Sequence, residues 1–220
     1  RTRMEKRAGD RRITALDAAI AAGRICGHNR AMNTSRIPLL IDTDPGVDDA
    51  LALLMAFNDP QHEVVGLTIA AGNVGLAHTV ANALKLCEVC AVDVPVFAGT
   101  DAPLVFPARD AAYVHGRDGF GDTGYTPAMR TAEAEHAALA ILRLSHEHAG
   151  NLLLVALGPL TNLAFALKLD PSLPSRIARC VVMGAAVSAH GNITAAAEFN
   201  IAFDPEAAHI VFSAFPKIEL

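Results

Sequence analysis

Between Ile37 and Leu54 the chain reads IPLLIDTDPGVDDALALL, an order of residues that few folds accommodate. An apolar run, Ile37 to Ile41, leads into Asp42, Asp44, Asp48 and Asp49, and Ala50 to Phe57 follows without Pro or Gly. The pattern predicts a buried strand, a tight Pro-Gly turn and a helix. In an open parallel sheet, ligands bind just past the carboxyl ends of the strands, so the acidic turn falls on the edge where chemistry is done. Clustered carboxylates repel one another unless a cation or a shared proton relieves them. A solvated acidic loop has the same composition, but such loops are seldom entered from a buried strand and left directly into a buried helix. Oxygen ligands on a short turn suit a hard divalent ion, Ca²⁺ or Mg²⁺. Zn²⁺ prefers His or Cys, which this stretch lacks.

The remaining chain alternates strand and helix. His62 to Ala71 predicts a second strand, rich in β-branched residues, and Gly72-Asn73 turns the chain at its carboxyl end. An Asn after Gly is by itself a turn former. Leu76 to Val92 has helical spacing and holds Cys87 and Cys90; with no second C-x-x-C pair, core packing is the expectation. Pro95 to Ala98 predicts a short third strand, followed by a Gly- and Pro-rich loop from Gly99 to Pro127. Loops that long are usually functional. A lone loop His is commonly solvated, yet His115, followed by Gly116 in such a loop, is placed to face a ligand. Thr131 to His148 predicts a helix with His136, His146 and His148 in solvent, and Asn151 to Leu157 a fourth strand. GPLTNLAFAL turns that strand into a helix, Arg179 to Met183 predicts a fifth strand, and a loop runs from Gly184 to Asn200. Asp204 to Phe212 predicts a helix capped by Asp204, and Lys217 to Leu220 begins a further strand. The fold class expected is α/β, an open and mostly parallel sheet flanked by helices.

At 220 residues and 52% hydrophobic content, the chain can bury one sizeable core. Residues 1–36 hold nine of the 18 basic and three of the 23 acidic residues, so the remainder carries nine bases against 20 acids. That acidic body argues against binding a phosphate backbone. Residues 1–35 resemble an organellar transit peptide in their arginines, but Glu5, Asp10 and Asp17 weigh against it, and no apolar stretch makes a secretory signal. They are expected to be a basic, disordered extension outside a domain over residues 36–220. There is no membrane-spanning run, internal repeat, P-loop or GxGxxG. The scattered cysteines predict no disulfide framework, which fits a cytoplasmic protein.

The stretch DTDPGVDDA, Asp42 to Ala50, resembles the signature of the inosine–uridine preferring nucleoside hydrolases, which cut the N-glycosidic bond of ribonucleosides. Ala71-Gly72-Asn73, Val114-His115-Gly116, Gly158 to Asn162 (GPLTN), Val182-Met183-Gly184, Gly191-Asn192 and Ala197 to Ala208 (AEFNIAFDPEAA) are similar to family segments in the same order. The resemblance covers about residues 36–220. It implies a sheet of nucleoside hydrolase type and a Ca²⁺-activated water that releases free base and ribose, as in purine and pyrimidine nucleoside catabolism and salvage. By the same resemblance Asp44, Asp49 and the backbone carbonyl of Leu157 hold Ca²⁺, and Asp44 is the base that deprotonates the water. Asp48 and Asn200, with Asn73, bind the ribose 2′- and 3′-hydroxyls, Asn192 and Glu198 bind the 5′-hydroxyl, Met183 packs beneath the ribose, His115 lies near the substrate, and Asp42 supports the loop. Partners expected are a ribonucleoside and further copies of the chain, with no nucleic acid or membrane.

Family members continue through a C-terminal part that adds an aspartate to the metal and a histidine that helps the base leave. Neither can be matched here, so the expectation is a domain lacking its C-terminal part and inactive by itself. Two rivals stand beside this. One is an inactive homologue that folds partly or binds ligand without turnover. The other is a haloacid-dehalogenase-like phosphatase, suggested by Asp42-Thr43-Asp44; against it, Gly46 stands where that family has Thr or Val, and Asp48-Asp49 go unexplained.

Overall fold

In the computed structural model, which describes residues 36–220, β1 (Ile37–Thr43) runs two residues beyond its apolar stretch, so that Asp42 and Thr43 are still strand. The basic extension expected over residues 1–35 lies outside the described residues. β2 (His62–Ile69), β3 (Val96–Ala98), β4 (Leu152–Ala156) and β5 (Ile177–Val182) complete a parallel sheet in the order β3-β2-β1-β4-β5. β1 is central: Ile41 is level with Leu67 of β2 and Val155 of β4, and Asp42 with Thr68 and Ala156.

Alternate side chains of a strand point to opposite faces, and the buried residues divide accordingly. Leu39, Ile41, Leu67, Ile69 and Leu153 form one core layer with Leu53 of α1 (Val47–Asn58) and Leu84 of α2 (Leu76–Val89). Leu40, Leu152, Leu154 and Ala156 form the other, against Ile141 of α4 (Ala137–Glu147), Leu163 of α5 (Thr161–Leu169) and Val211 of α7 (Pro205–Ala214). Strands buried on both faces read as continuous apolar runs, which is why they were visible in the sequence.

The long loop contains one short helix, α3 (Ala112–His115), and a second, α6 (Phe199–Phe203), closes the loop after β5. α4 begins six residues later than its periodicity predicts. The amide of Glu133 donates to the Val96 carbonyl at 2.8 Å, which holds this segment to the sheet edge, and His136 then caps the helix by accepting from the Ala138 amide at 3.1 Å. At the other edge Glu219 pairs with β5, its amide donating to Cys180 O at 3.0 Å, so the strand expected from Lys217 starts there as a single bridge. Cys87 and Cys90 are buried, as core packing predicts. Among the described residues no helix is long and apolar enough to cross a membrane.

Candidate active site

From β1 the chain goes to β2 on one side, and it later returns as β4 on the other. The crevice past the carboxyl ends of β1 and β4 is therefore the switch point of the sheet, where ligands bind in such folds. Four strand ends converge there: Asp44 follows β1, Asn73 follows β2, Leu157 follows β4 and Met183 follows β5.

Asp44 is buried at 1% exposure. Its Oδ2 accepts from the Asn73 amide at 2.7 Å, whereas its Oδ1 has no hydrogen-bond partner. Two glycines make room for this carboxylate. A Cβ on Gly72 would lie 2.0 Å from Asp44 Oδ2, and one on Gly158 would lie 2.4 Å from Oδ1. The glycines of AGN and GPLTN thus flank a single carboxyl group. Burial first, and the charge of Asp49 second, push the Asp44 carboxyl well above the usual carboxylate range.

Asp49 sits in the first turn of α1. Its Oδ2 accepts from the Gly46 amide at 3.1 Å, which caps the helix, and from Asn73 Nδ2 at 2.9 Å, while Oδ1 accepts from Thr43 Oγ1 at 2.7 Å. Burial raises its pKa as well. Asp42 is fully enclosed, with Oδ1 accepting from Thr68 Oγ1 at 2.6 Å and from Asn162 Nδ2 at 2.9 Å; desolvation carries it to about 7.

A cavity of about 560 Å³ opens in front of the turn. Asp48, Asp49, Asn73, His115, Leu157, Met183, Asn192, Glu198 and Asn200 line it; Asp44 and Asp42 lie behind its wall. Asp48 projects into solvent, its side chain 72% exposed. Asn73 Nδ2 also donates to the Asp44 backbone carbonyl at 3.0 Å, so this side chain fixes the acidic turn while facing the cavity. Asn200 Nδ2 donates to Leu157 O at 2.8 Å and Met183 O at 3.3 Å. Glu198 caps α6, accepting from the Asn200 amide at 3.0 Å, and Asn192 Oδ1 accepts from the Phe199 amide at 2.8 Å. The imidazole of His115 accepts at Nδ1 from the Val47 amide at 3.3 Å, which describes the neutral ring with its proton on Nε2. Asp48 Oδ1 is 3.7 Å from the same Nδ1, beyond hydrogen-bond reach, and its exposure leaves that charge largely screened.

The sequence places Asp204 as a helix cap, which it is, but gives no sign of its bond to Thr161 or of the work done by Asn162. Asn162 joins Asp42 to the loop after β3, its Oδ1 accepting from the Thr100 amide at 3.0 Å. Buried Asp204 caps α7 through the Ala207 amide at 3.0 Å and also accepts from Thr161 Oγ1 at 2.7 Å. Thr68 gave no signal at all, being one β-branched residue among many in its strand.

The fold and site define a doubly wound α/β domain with a carboxylate cluster and an open cavity at its switch point. The chain matches the family model for inosine-uridine preferring nucleoside hydrolases over residues 39–220. It is 46% identical over 178 residues to uridine nucleosidase 1 of Arabidopsis thaliana, a match taking in 80% of this chain and 53% of that protein. Its structure is similar to a plant nucleoside hydrolase, with TM-score 0.79 and 39% identity over 82% of this chain and 58% of that one. A purine-preferring ribonucleoside hydrolase from Gardnerella vaginalis gives TM-score 0.79 and 35% identity over 82% of this chain and 59% of that one. The chain belongs to the inosine-uridine preferring nucleoside hydrolase family. It spans a little over half the length of the curated relatives it matches. The phosphatase alternative falls with this assignment, and the enclosure of Asp42 fits its fall, since a D-x-D nucleophile must reach its substrate.

Proposed function

We propose that the protein hydrolyses the N-glycosidic bond of ribonucleosides to free base and ribose, with Ca²⁺ as its metal. The observation that carries this is Asp44, a buried carboxylate with one oxygen unpartnered, beside a second buried carboxylate at the sheet's switch point. Such a group is costly to ionise without a cation nearby. Among the described residues no three carboxylate, imidazole or thiol side chains are grouped to hold an ion by themselves, so backbone, carboxamide or water oxygen would complete the set. The residues fit a hard cation on those terms. Asp44 Oδ1 is unused, the Asp49 oxygens accept three hydrogen bonds of the four or so they can take, and Leu157 O accepts one of two. Bound there, Ca²⁺ would lower the pKa of a water and so supply a nucleophile at neutral pH.

Asp44 then takes the proton from the attacking water. Asp48, Asn73 and Asn200 bond the 2′- and 3′-hydroxyls as charge develops on the ribosyl ring; with their Nδ2 groups used in the turn and the β4 end, the two carboxamides offer oxygen to the sugar. Asn192 and Glu198 take the 5′-hydroxyl, held in place by their bonds to the start of α6. Met183 lies beneath the ribose, His115 faces the substrate, and Asp42 braces the turn. The reading extends to a cytoplasmic, homo-oligomeric enzyme of nucleoside catabolism and salvage that binds no nucleic acid; the acidic body and the buried thiols of Cys87 and Cys180, raised to about 11 and about 12 by burial, support the charge and compartment parts of it.

The test is release of free base from uridine and inosine, with Ca²⁺ and with a chelator, in a form of the protein that carries the family's C-terminal part and in its Asp44→Asn variant. Base release that Asp44→Asn leaves intact overturns the assignment, and aryl-phosphate hydrolysis in its place would restore the phosphatase.

A further inference from the structure

We propose that Asn82 and Tyr125 form a clasp that positions the His115 loop over the cavity, so that nucleoside affinity depends on two residues that do not line it. The inference rests on the nucleoside reading above. Asn82 lies in α2, fully buried. Its Nδ2 donates to Pro45 O, inside the acidic turn, at 2.9 Å and to Asp118 O, in the long loop, at 2.9 Å; its Oδ1 accepts from the Tyr125 hydroxyl. One buried side chain therefore joins three segments.

The loop beyond the clasp behaves as one unit. The Asp118 carboxylate accepts from the Phe120 and Asp122 amides at 2.8 and 2.9 Å, and the Phe120 and Tyr125 rings pack with centroids 5.6 Å apart. Gly119, at φ 81°, passes so close that a Cβ would lie 2.7 Å from Asn82 Nδ2. The Gly121 amide donates to His115 O at 2.7 Å, which fastens His115 to this unit, and Val47, which donates to the His115 ring, follows Pro45 by two residues. Asn82 thus ties the acidic turn, at Pro45, to the loop unit that carries His115, beside the direct bond from Val47 to the His115 ring and the bond from the Ala111 amide to Asn73 O. His115, Val114 and Tyr113 line the cavity, whereas Asn82 and Tyr125 do not. Partial burial pushes the Tyr125 phenol up, which keeps it a protonated donor at neutral pH.

The principal variant is Tyr125→Phe, which removes one hydroxyl and keeps the ring; Asn82→Ala is the second. Loss of a single net hydrogen bond predicts a change of about three- to tenfold. Amide exchange of residues 115–121 and of Val47 should quicken by that factor in Tyr125→Phe and by more in Asn82→Ala. Calorimetric affinity for uridine and inosine should fall about three- to tenfold, with Ca²⁺ affinity unchanged within about twofold. Unchanged exchange and unchanged nucleoside affinity in Tyr125→Phe overturn the clasp. Equal losses for Ca²⁺ and nucleoside overturn it too, since they would show a merely structural Asn82. A wild-type protein that binds neither nucleoside defeats the nucleoside reading instead, and the exchange rates then decide the clasp separately: quickening supports it and constancy refutes it.

Discussion

The Asn73 amide donates to Asp44 Oδ2 at 2.7 Å, so the end of β2 holds a buried carboxylate whose other oxygen has no protein partner. The turn after β1 is therefore fixed from the neighbouring strand as well as by its own Thr43–Asp49 and Gly46–Asp49 bonds, and its free oxygen is aimed by a bond made elsewhere.

Removing a cation ligand is the most direct check. Asp49→Ala deletes one proposed ligand, frees Thr43 Oγ1 and Gly46 N, and leaves Asn73 Nδ2 only its bond to Asp44 O. Calcium affinity by calorimetry should fall by at least about tenfold, as expected for loss of a charged ligand or its support. Unchanged affinity would remove Asp49 from the site.

Crowding the carboxylate tests the role of the two glycines. Gly158→Ala places a methyl 2.4 Å from Asp44 Oδ1, a distance at which backbone or carboxylate must move. Thermal or denaturant unfolding should show a loss of about 1–3 kcal/mol, the usual cost of overpacking. Calcium affinity should drop with it. A variant that is as stable as the parent and binds calcium equally would mean that Asp44 has room to spare.

Stability should also depend on pH in a definite direction when calcium is chelated. The folded-state pKa of Asp42 is raised from 3.8 to about 7, so the enclosed group favours the folded state below about pH 4, and that contribution is lost as pH rises through about 7. At about 1.4 kcal/mol per unit the loss is on the order of 4 kcal/mol, with Asp44 and Asp49 acting in the same sense. The melting temperature of chelated protein should fall between pH 5 and 7.5, by less in Asp42→Asn, and calcium should largely restore it. A melting temperature that climbs over that range in chelator contradicts the enclosure of Asp42.

Sugar selectivity follows from polar groups grouped at the cavity. A site built to bond a hydroxyl leaves its own groups unpaired when the hydroxyl is absent, which can cost a factor on the order of 10⁴. In a form that carries the family's C-terminal part, uridine and inosine should therefore release base far faster than their 2′-deoxy counterparts, and Asp48→Ala should narrow the gap by slowing the ribonucleosides. Comparable kcat/KM on both sugars would rule out a diol-binding role for Asp48, Asn73 and Asn200.

Much of this was legible because it is local. The run from Ile37 into the acidic turn and out into α1 states strand, turn and helix in consecutive residues, and the strands buried on both faces announce themselves as apolar runs. Asn82, Asn162 and Thr68 were not legible. Each is a polar residue inside a helix or strand, where the ordinary expectation is a solvated face, and its partner lies 26 to 120 positions away. The late start of α4 was hidden for the same reason: residues before Ala137 have helical spacing, and only the bond from Glu133 to β3 draws them into the sheet edge. Loop helices α3 and α6 are too short to carry a period.

Placing β1 at the centre of the sheet has a consequence for synthesis. β1 leaves the ribosome first, yet its neighbour β4 begins at Leu152, and Asn162, which closes on Asp42, comes 120 residues after it. At about 5–20 residues per second, one side of β1 waits on the order of ten seconds for its partner. Throughout that interval Ile37 to Ile41 presents an unpaired apolar edge to water or to a chaperone. On the proposed calcium site, the ligands Asp44 and Asp49 would not be joined by Leu157 until β4 is made, so calcium uptake by a nascent chain would mark the moment that β4 pairs with β1.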